Sequence, residues 1–291
     1  MRYDISFHFD GTIIEDHKIT ARTLGKTLTH LQRAIDKAYI ETLYGKVEKN
    51  SRLSGKDYAN ADFITGTPRD GGYILDLFSK SDIGKKTCNK IIKGINDAYT
   101  DALKQESDQE SGSKLHEKVL DIRSQVKSES LEPIPFEQIA KNESSFTKRS
   151  YGERLICREI DGILSIIRAS SSGDSTFEID INGDILQNFS FDRSRSQRFH
   201  SIVSERHLGP PTIYNGFLRE MDADNQTGRF VNQATKKKSI LYFSTIDSFM
   251  EAKDFLGNSD HLHFVGCPFV EYDAYDISAG DIYYISPIKN G

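Results

Sequence analysis

From Arg2 to Asp10 the chain alternates without a fault, with Tyr3, Ile5, Phe7 and Phe9 on one face and Asp4, Ser6, His8 and Asp10 on the other. That period of two predicts a half-buried strand. Between Ile19 and Tyr44 the period changes: Leu24, Leu28, Leu31, Ile35, Ala38 and Leu43 form an apolar stripe, widened by Ala34 and Tyr39. Lys26, His30, Arg33, Lys37 and Glu41 take the other sides, so the spacing predicts one long amphipathic helix. Ala61 to Ile64 and Tyr73 to Phe78 are short apolar runs joined by a Gly- and Pro-rich reversal, which predicts a hairpin. Strand, helix and hairpin make a β-α-β-β module whose helix stripe packs on the apolar face of a small sheet.

Further along, Asp82 to Leu103 reads as a second helix and Lys114 to Val126 as a short one packing on it, with the polar stretch Gln105 to Ser113 a solvated loop between them. Glu132-Pro-Ile-Pro135 prohibits a regular element, leaving room for one helical turn from Phe136 to Lys141. Beyond it the pattern turns to alternation, and Arg154 to Glu159, Gly162 to Arg168, Thr176 to Ile181 and Ile185 to Phe191 read as four strands. A basic helix is expected over Arg193 to His207. Then come strands at Thr212 to Met221, Gly228 to Asn232 and Ser239 to Phe243, a helix at Thr245 to Leu256, and strands at His261 to Gly266, Phe269 to Tyr275 and Asp281 to Pro287. Three strands, a helix and two or three strands is the element order of the oligonucleotide- and oligosaccharide-binding (OB) barrel.

The expected fold class is therefore α+β: an N-terminal small sheet with long amphipathic helices over 1–130, a linker over 131–150, and a mostly-β domain with a small OB-like barrel over 151–291. A chain of 291 residues favours two domains over one. No apolar run approaches the roughly 20 residues that cross a bilayer, and the opening strand lacks the marks of a signal peptide, so a cytoplasmic protein without a membrane partner is expected. Cys88, Cys157 and Cys267 are far apart and odd in number, which points to buried free thiols rather than disulfides or a zinc site. A net charge of -5 argues against a protein whose main work is coating nucleic acid.

Phe9-Asp-Gly11, Leu24-Gly-x-x-Leu28-x-x-Leu31 and Pro68-Arg-x-Gly-Gly72-Tyr-Ile-Leu-Asp-Leu77 together resemble the N-terminal module of uncharacterised two-domain bacterial proteins of mobile elements and defence neighbourhoods. Gly216-Phe-Leu-x-x-Met-Asp222 and Gly228-x-Phe230 are similar to the small barrel that follows it there, although Val265 and Gly266 are adjacent where that pattern spaces them. The resemblance implies a bacterial or phage protein and transfers no catalytic residue.

Phosphate-binding Gly-rich loops, nucleophile elbows and His-Glu-x-x-His are all absent from the sequence. Glu178 with Asp180, and Asp222 with Asp224, resemble halves of divalent-metal sites, but a solvated strand face explains them as well. His261, His263 and Cys267 would share a strand side if that strand ran straight, and His8 with Asp10 would pair an imidazole with a carboxylate. The positive signal is basic. Arg193, Arg195, Arg198 and Arg206 crowd one expected helix beside His200 and His207, Lys236, Lys237 and Lys238 sit at a barrel turn, and Tyr214, Phe217, Phe230, Tyr242 and Phe243 offer stacking surfaces.

Three readings follow. The first is a non-enzymatic binding or adaptor protein of a bacterial or phage defence or counter-defence system, with no cofactor, no metal and no catalytic residue, whose protein partner is encoded in the same operon. The second is a nucleic-acid-binding protein using the barrel through Arg193, Arg195, Arg198, Arg206, Lys236, Lys237, Lys238, Tyr214 and Phe230. The third is a metal-dependent nuclease at Glu178 and Asp180 or at His261 and His263.

Overall fold

A computed structural model describes residues 3–104, 113–257 and 261–288. The expected loop Gln105 to Ser113 lies outside the described residues, save for Ser113. In chain order the elements are β1 (Ile5–Asp10), α1 (Ala21–Tyr44), α2 (Tyr58–Ala61), β2 (Phe63–Thr65), β3 (Tyr73–Ser79), α3 (Gly84–Lys104), α4 (Ser113–Lys127), β4 (Ile134–Pro135), α5 (Phe136–Lys141) and α6 (Tyr151–Arg168). There follow β5 (Thr176–Asn182), β6 (Leu186–Phe191), α7 (Arg193–Val203), β7 (Arg206–Leu208), β8 (Thr212–Asp222), β9 (Thr227–Asn232), β10 (Lys238–Tyr242), α8 (Ile246–Lys253), β11 (Leu262–Glu271) and β12 (Ile282–Pro287). The fold is α+β. Among the described residues no helix is long and apolar enough to cross a membrane.

The chain forms two compact units, and both are discontinuous: Met1–Asp108 with Tyr151–Ser204, and Gln109–Ser150 with Glu205–Gly291. This corrects the expected division at 131–150. The reason lies in β1, which pairs antiparallel with β3 on one side and with β5 on the other, so that β5 and β6 complete the first unit's sheet in the order β2-β3-β1-β5-β6.

In the first unit Ile5, Phe7 and Phe9 are fully buried beside Phe177, Ile179 and Ile181 on one sheet face, and α3, α6 and α7 pack on β5 and β6 from that side. α1 is started by Thr20, whose hydroxyl accepts from the Thr23 N–H at 3.1 Å, and ended by Gly45 in the left-handed region at φ 78°. Its stripe is Leu31, Ala34, Ile35, Ala38 and Tyr39, whereas Leu43 is exposed and Glu41 is buried, reversing their expected places. The Glu41 carboxylate lies 3.2 Å from Lys90 Nζ and against Gly152, where a Cβ would come within 1.9 Å of it.

The two strands expected over Arg154 to Glu159 and Gly162 to Arg168 are instead the single helix α6. Ile156, Ile160, Ile163 and Ile167 recur at helical spacing and are fully buried, so packing against α1 and α3 overrides the β-branched preference for strands. Gly94 in α3 permits this: a Cβ there would stand 3.1 Å from Ile156, and Cys157 donates its thiol to the Gly94 carbonyl at 2.8 Å.

In the second unit β8, β9, β10, β12 and β11 close on themselves through a β8–β11 pairing, with β10 and β12 parallel and every other barrel pair antiparallel. With α8 between β10 and β11, this is the OB-like barrel that the element order predicts. Tyr214, Phe230, Leu241, Phe264 and Tyr284 fill its interior. The strands expected at His261 to Gly266 and Phe269 to Tyr275 are instead one strand, β11, continuous through a bulge at Val265 and Gly266. α4 lays Val119, Ile122 and Val126 on Val265, Cys267 and Ile285 of the barrel's outer wall, where packing on the preceding helix was expected.

Candidate functional site

The basic residues expected in one helix are divided between the two units. In the first unit, Asp192 caps α7 by accepting from the Arg195 N–H at 2.7 Å. Arg195 donates to the Ser190 carbonyl and lies over the Tyr99 ring at 5.9 Å, while Arg198 donates to the Ala102 carbonyl at 2.6 Å and to Ser194 Oγ at 2.7 Å. Only Arg193 of this group has no partner among the described residues. His200 is hydrogen-bonded through Nδ1 to Asp161 at 2.9 Å, and Arg168 holds the other Asp161 oxygen at 2.6 Å.

In the second unit Arg206 lies on β7 rather than on the helix, bound through Nε to Glu271 at 2.8 Å and stacked over Phe269 at 5.4 Å. Lys236 to Lys238 are exposed at the β9–β10 turn, as expected. Tyr214 and Phe230 are not stacking surfaces, because both are fully buried inside the barrel. Phe243 is also buried, so of the five aromatic candidates only Phe217 and Tyr242 face outward. Their alternation with Leu218 and Leu241 carries the distinction.

Sequence reading missed an aromatic cluster on the outer wall. Tyr242 of β10, Phe269 of β11 and Tyr283 of β12 are all partly exposed, and their ring centroids lie 5.3 to 5.5 Å apart. No single strand shows the cluster, since each contributes one ring and the barrel closure assembles them. Burial against α4 raises the Tyr283 phenol above its ordinary value.

The carboxylate candidates hold the structure together. Glu178 accepts from Ser190 Oγ at 3.1 Å and stands 3.7 Å from His8 Nδ1; Asp180 accepts from Tyr3 at 3.1 Å and Asn188 at 2.8 Å. Asp222 closes the β8–β9 turn by accepting from the Asn225 side chain at 2.7 Å and from the Asp224 and Asn225 N–H groups, and these bonds, the Asn225 side chain's first, hold its pKa below the ordinary value. His261 binds Asn215 at 3.0 Å, while Cys267 is buried under α4, with burial pushing its thiol pKa to about 12. Asp10 accepts from the adjacent Gly11 N–H at 2.8 Å, and His8 lies beneath Gly72. Among the described residues no group of three or more His, Cys, Asp or Glu side chains is placed to share a metal ion.

No protein-family model, curated protein or solved structure matches this chain.

Proposed function

We propose that the chain is a non-enzymatic binding protein that works through protein–protein assembly, with the outer wall of its OB-like barrel as a docking surface. The observation that carries this reading is the Tyr242, Phe269 and Tyr283 cluster with Arg206 stacked upon it. Tyr, Phe and Arg are the residues enriched at protein interfaces, and aromatic rings bring large contact area at low entropy cost. The pairing of Arg206 with Glu271 neutralises the charge that a phosphate would seek, which favours a protein over a nucleic-acid partner. The motif resemblance directs the search for that partner to bacterial or phage defence neighbourhoods.

Affinity capture from the native host, with the products of neighbouring genes identified, tests the proposal. A captured partner should be lost on Phe269→Ala with Tyr283→Ala while the barrel still folds. Retention of every partner by the folded variant overturns the docking surface.

A second reading keeps nucleic acid, on the observation that Lys236 and Lys238 are exposed on one turn. It requires sub-micromolar oligonucleotide affinity at ~150 mM salt that falls steeply with added salt and is lost when the three lysines are replaced.

A further inference from the structure

We propose that the second unit carries a pocket for a purine nucleoside monophosphate, built where β8 changes neighbours and separate from the aromatic wall. β8 pairs with β4 at Thr212 and Ile213 and with β9 from Gly216 onward. Between the two, the Asn215 carbonyl takes its hydrogen bond from the Gln233 N–H at 2.9 Å, and the ladder opens beside a pocket of about 300 Å³. That volume is at the lower end for small-molecule sites.

Asn215, Asn232, Gln233 and His263 line the pocket, with Asn215 and His263 directly opposite each other on paired strands. The orientation of two of the amides is fixed from behind. Asn215 Oδ1 is bound to the His261 ring at 3.0 Å, and Asn232 Oδ1 accepts the Ala234 N–H at 2.8 Å. Both Nδ2 groups are thereby left without a partner among the described residues, as are the Gln233 amide and the His263 ring.

Two fixed donors, one amide offering both a donor and an acceptor, and one imidazole match the mixed edge of a purine, which amide side chains bind in bidentate fashion. Ile213 supplies apolar contact for a flat ring. A bare anion fits less well, because Glu137 also lines the pocket. Positive charge comes from the same turn that supplies Gln233, where exposed Lys236 and Lys238 suit the phosphate of a nucleotide whose base occupies the pocket. The pocket is framed by β8 and β11, by Asn232 at the end of β9 and by Gln233 and Ala234 of the β9–β10 turn. The proposal does not rest on the assembly reading.

Calorimetric titration of the full chain with AMP and GMP, and with adenosine and ribose 5-phosphate as partial ligands, tests it. Saturable purine nucleotide binding is expected, with none for ribose 5-phosphate. Gln233→Ala and His263→Ala should each weaken it about tenfold, the loss of one hydrogen bond's worth. Lys236→Ala with Lys238→Ala should weaken AMP but leave adenosine unchanged. Failure of both nucleotides to saturate below ~1 mM overturns the proposal, as does ribose 5-phosphate binding equal to theirs. Gln233 lies in a turn, so its variant stands as the deciding one if circular dichroism shows His263→Ala to be unfolded. Undiminished affinity in folded Gln233→Ala also overturns the pocket.

Discussion

The guanidinium of Arg195 donates to the carbonyl oxygen of Ser190, while the Ser190 N–H donates to the Tyr99 hydroxyl at 3.2 Å. Ser190 lies on β6, the edge strand of the first unit's sheet, so these two side chains occupy backbone groups that another strand would otherwise pair with. Arg195→Ala should lower stability by about 1–2 kcal/mol, since it leaves an acceptor short of its partner, and should raise aggregation. Urea denaturation and light scattering check this. An unchanged midpoint combined with weaker oligonucleotide binding would instead return Arg195 to a phosphate-binding role.

Gly72 has φ +91°, and a Cβ there would stand 2.4 Å from His8 Nε2 and 2.6 Å from the Phe9 carbonyl oxygen. The backbone oxygen cannot rotate away as a side chain can. Gly72→Ala is expected to cost about 2 kcal/mol or more, combining left-handed strain with the clash. Gly45→Ala is the control: φ is +78° but nothing lies within 4 Å, so only the conformational cost of about 1 kcal/mol remains. Thermal denaturation of the pair should rank them in that order.

A fragment beginning at Tyr151 should not fold. It would carry β5 without β1, its partner from Ile5 to Asp10, and would leave Phe177, Ile179 and Ile181 without the face they pack in. Expression of 151–291 alone should give a chain lacking a cooperative melt, and co-expression with 1–150 should restore one. A cooperative transition in the isolated fragment would refute the discontinuous division.

Burial pushes the Cys88 and Cys267 thiols from an ordinary 9.0 to about 12. Below pH 9 each thiol is protonated in the folded and unfolded chain alike, and no pH dependence arises. Between pH 9 and about 12 the unfolded chain releases these protons and the folded one does not, so stability falls as pH rises through that window. Buried Tyr214, Tyr275 and Tyr284, whose phenols are also raised, act with the same sign. Melting temperature should therefore decline above pH 9, and at pH 8 the native thiols should resist a disulfide reagent that labels them in denaturant.

Local periodicity alone determined β1, α1, α3, the β8–β9–β10 order and the helix after it, because alternation and 3.6-residue spacing follow from a single face meeting a core. It also determined that the cysteines are buried thiols. In α6 the two signals in the sequence disagree, since the four isoleucines are spaced four, three and four apart as a helix requires but are β-branched as strands prefer, and burial against α1 and α3 decides for the helix. The sequence by itself did not reveal that β5 returns to β1, since backbone pairing across some 170 positions leaves no local mark. The site residues divide in the same way. Charge made the arginines legible, but whether a guanidinium faces solvent or a carbonyl of its own chain depends on which neighbours folding brings within hydrogen-bond reach. For Arg195, Arg198 and Arg206 those neighbours are Ser190, Ala102 and Glu271, and tertiary structure alone supplies them.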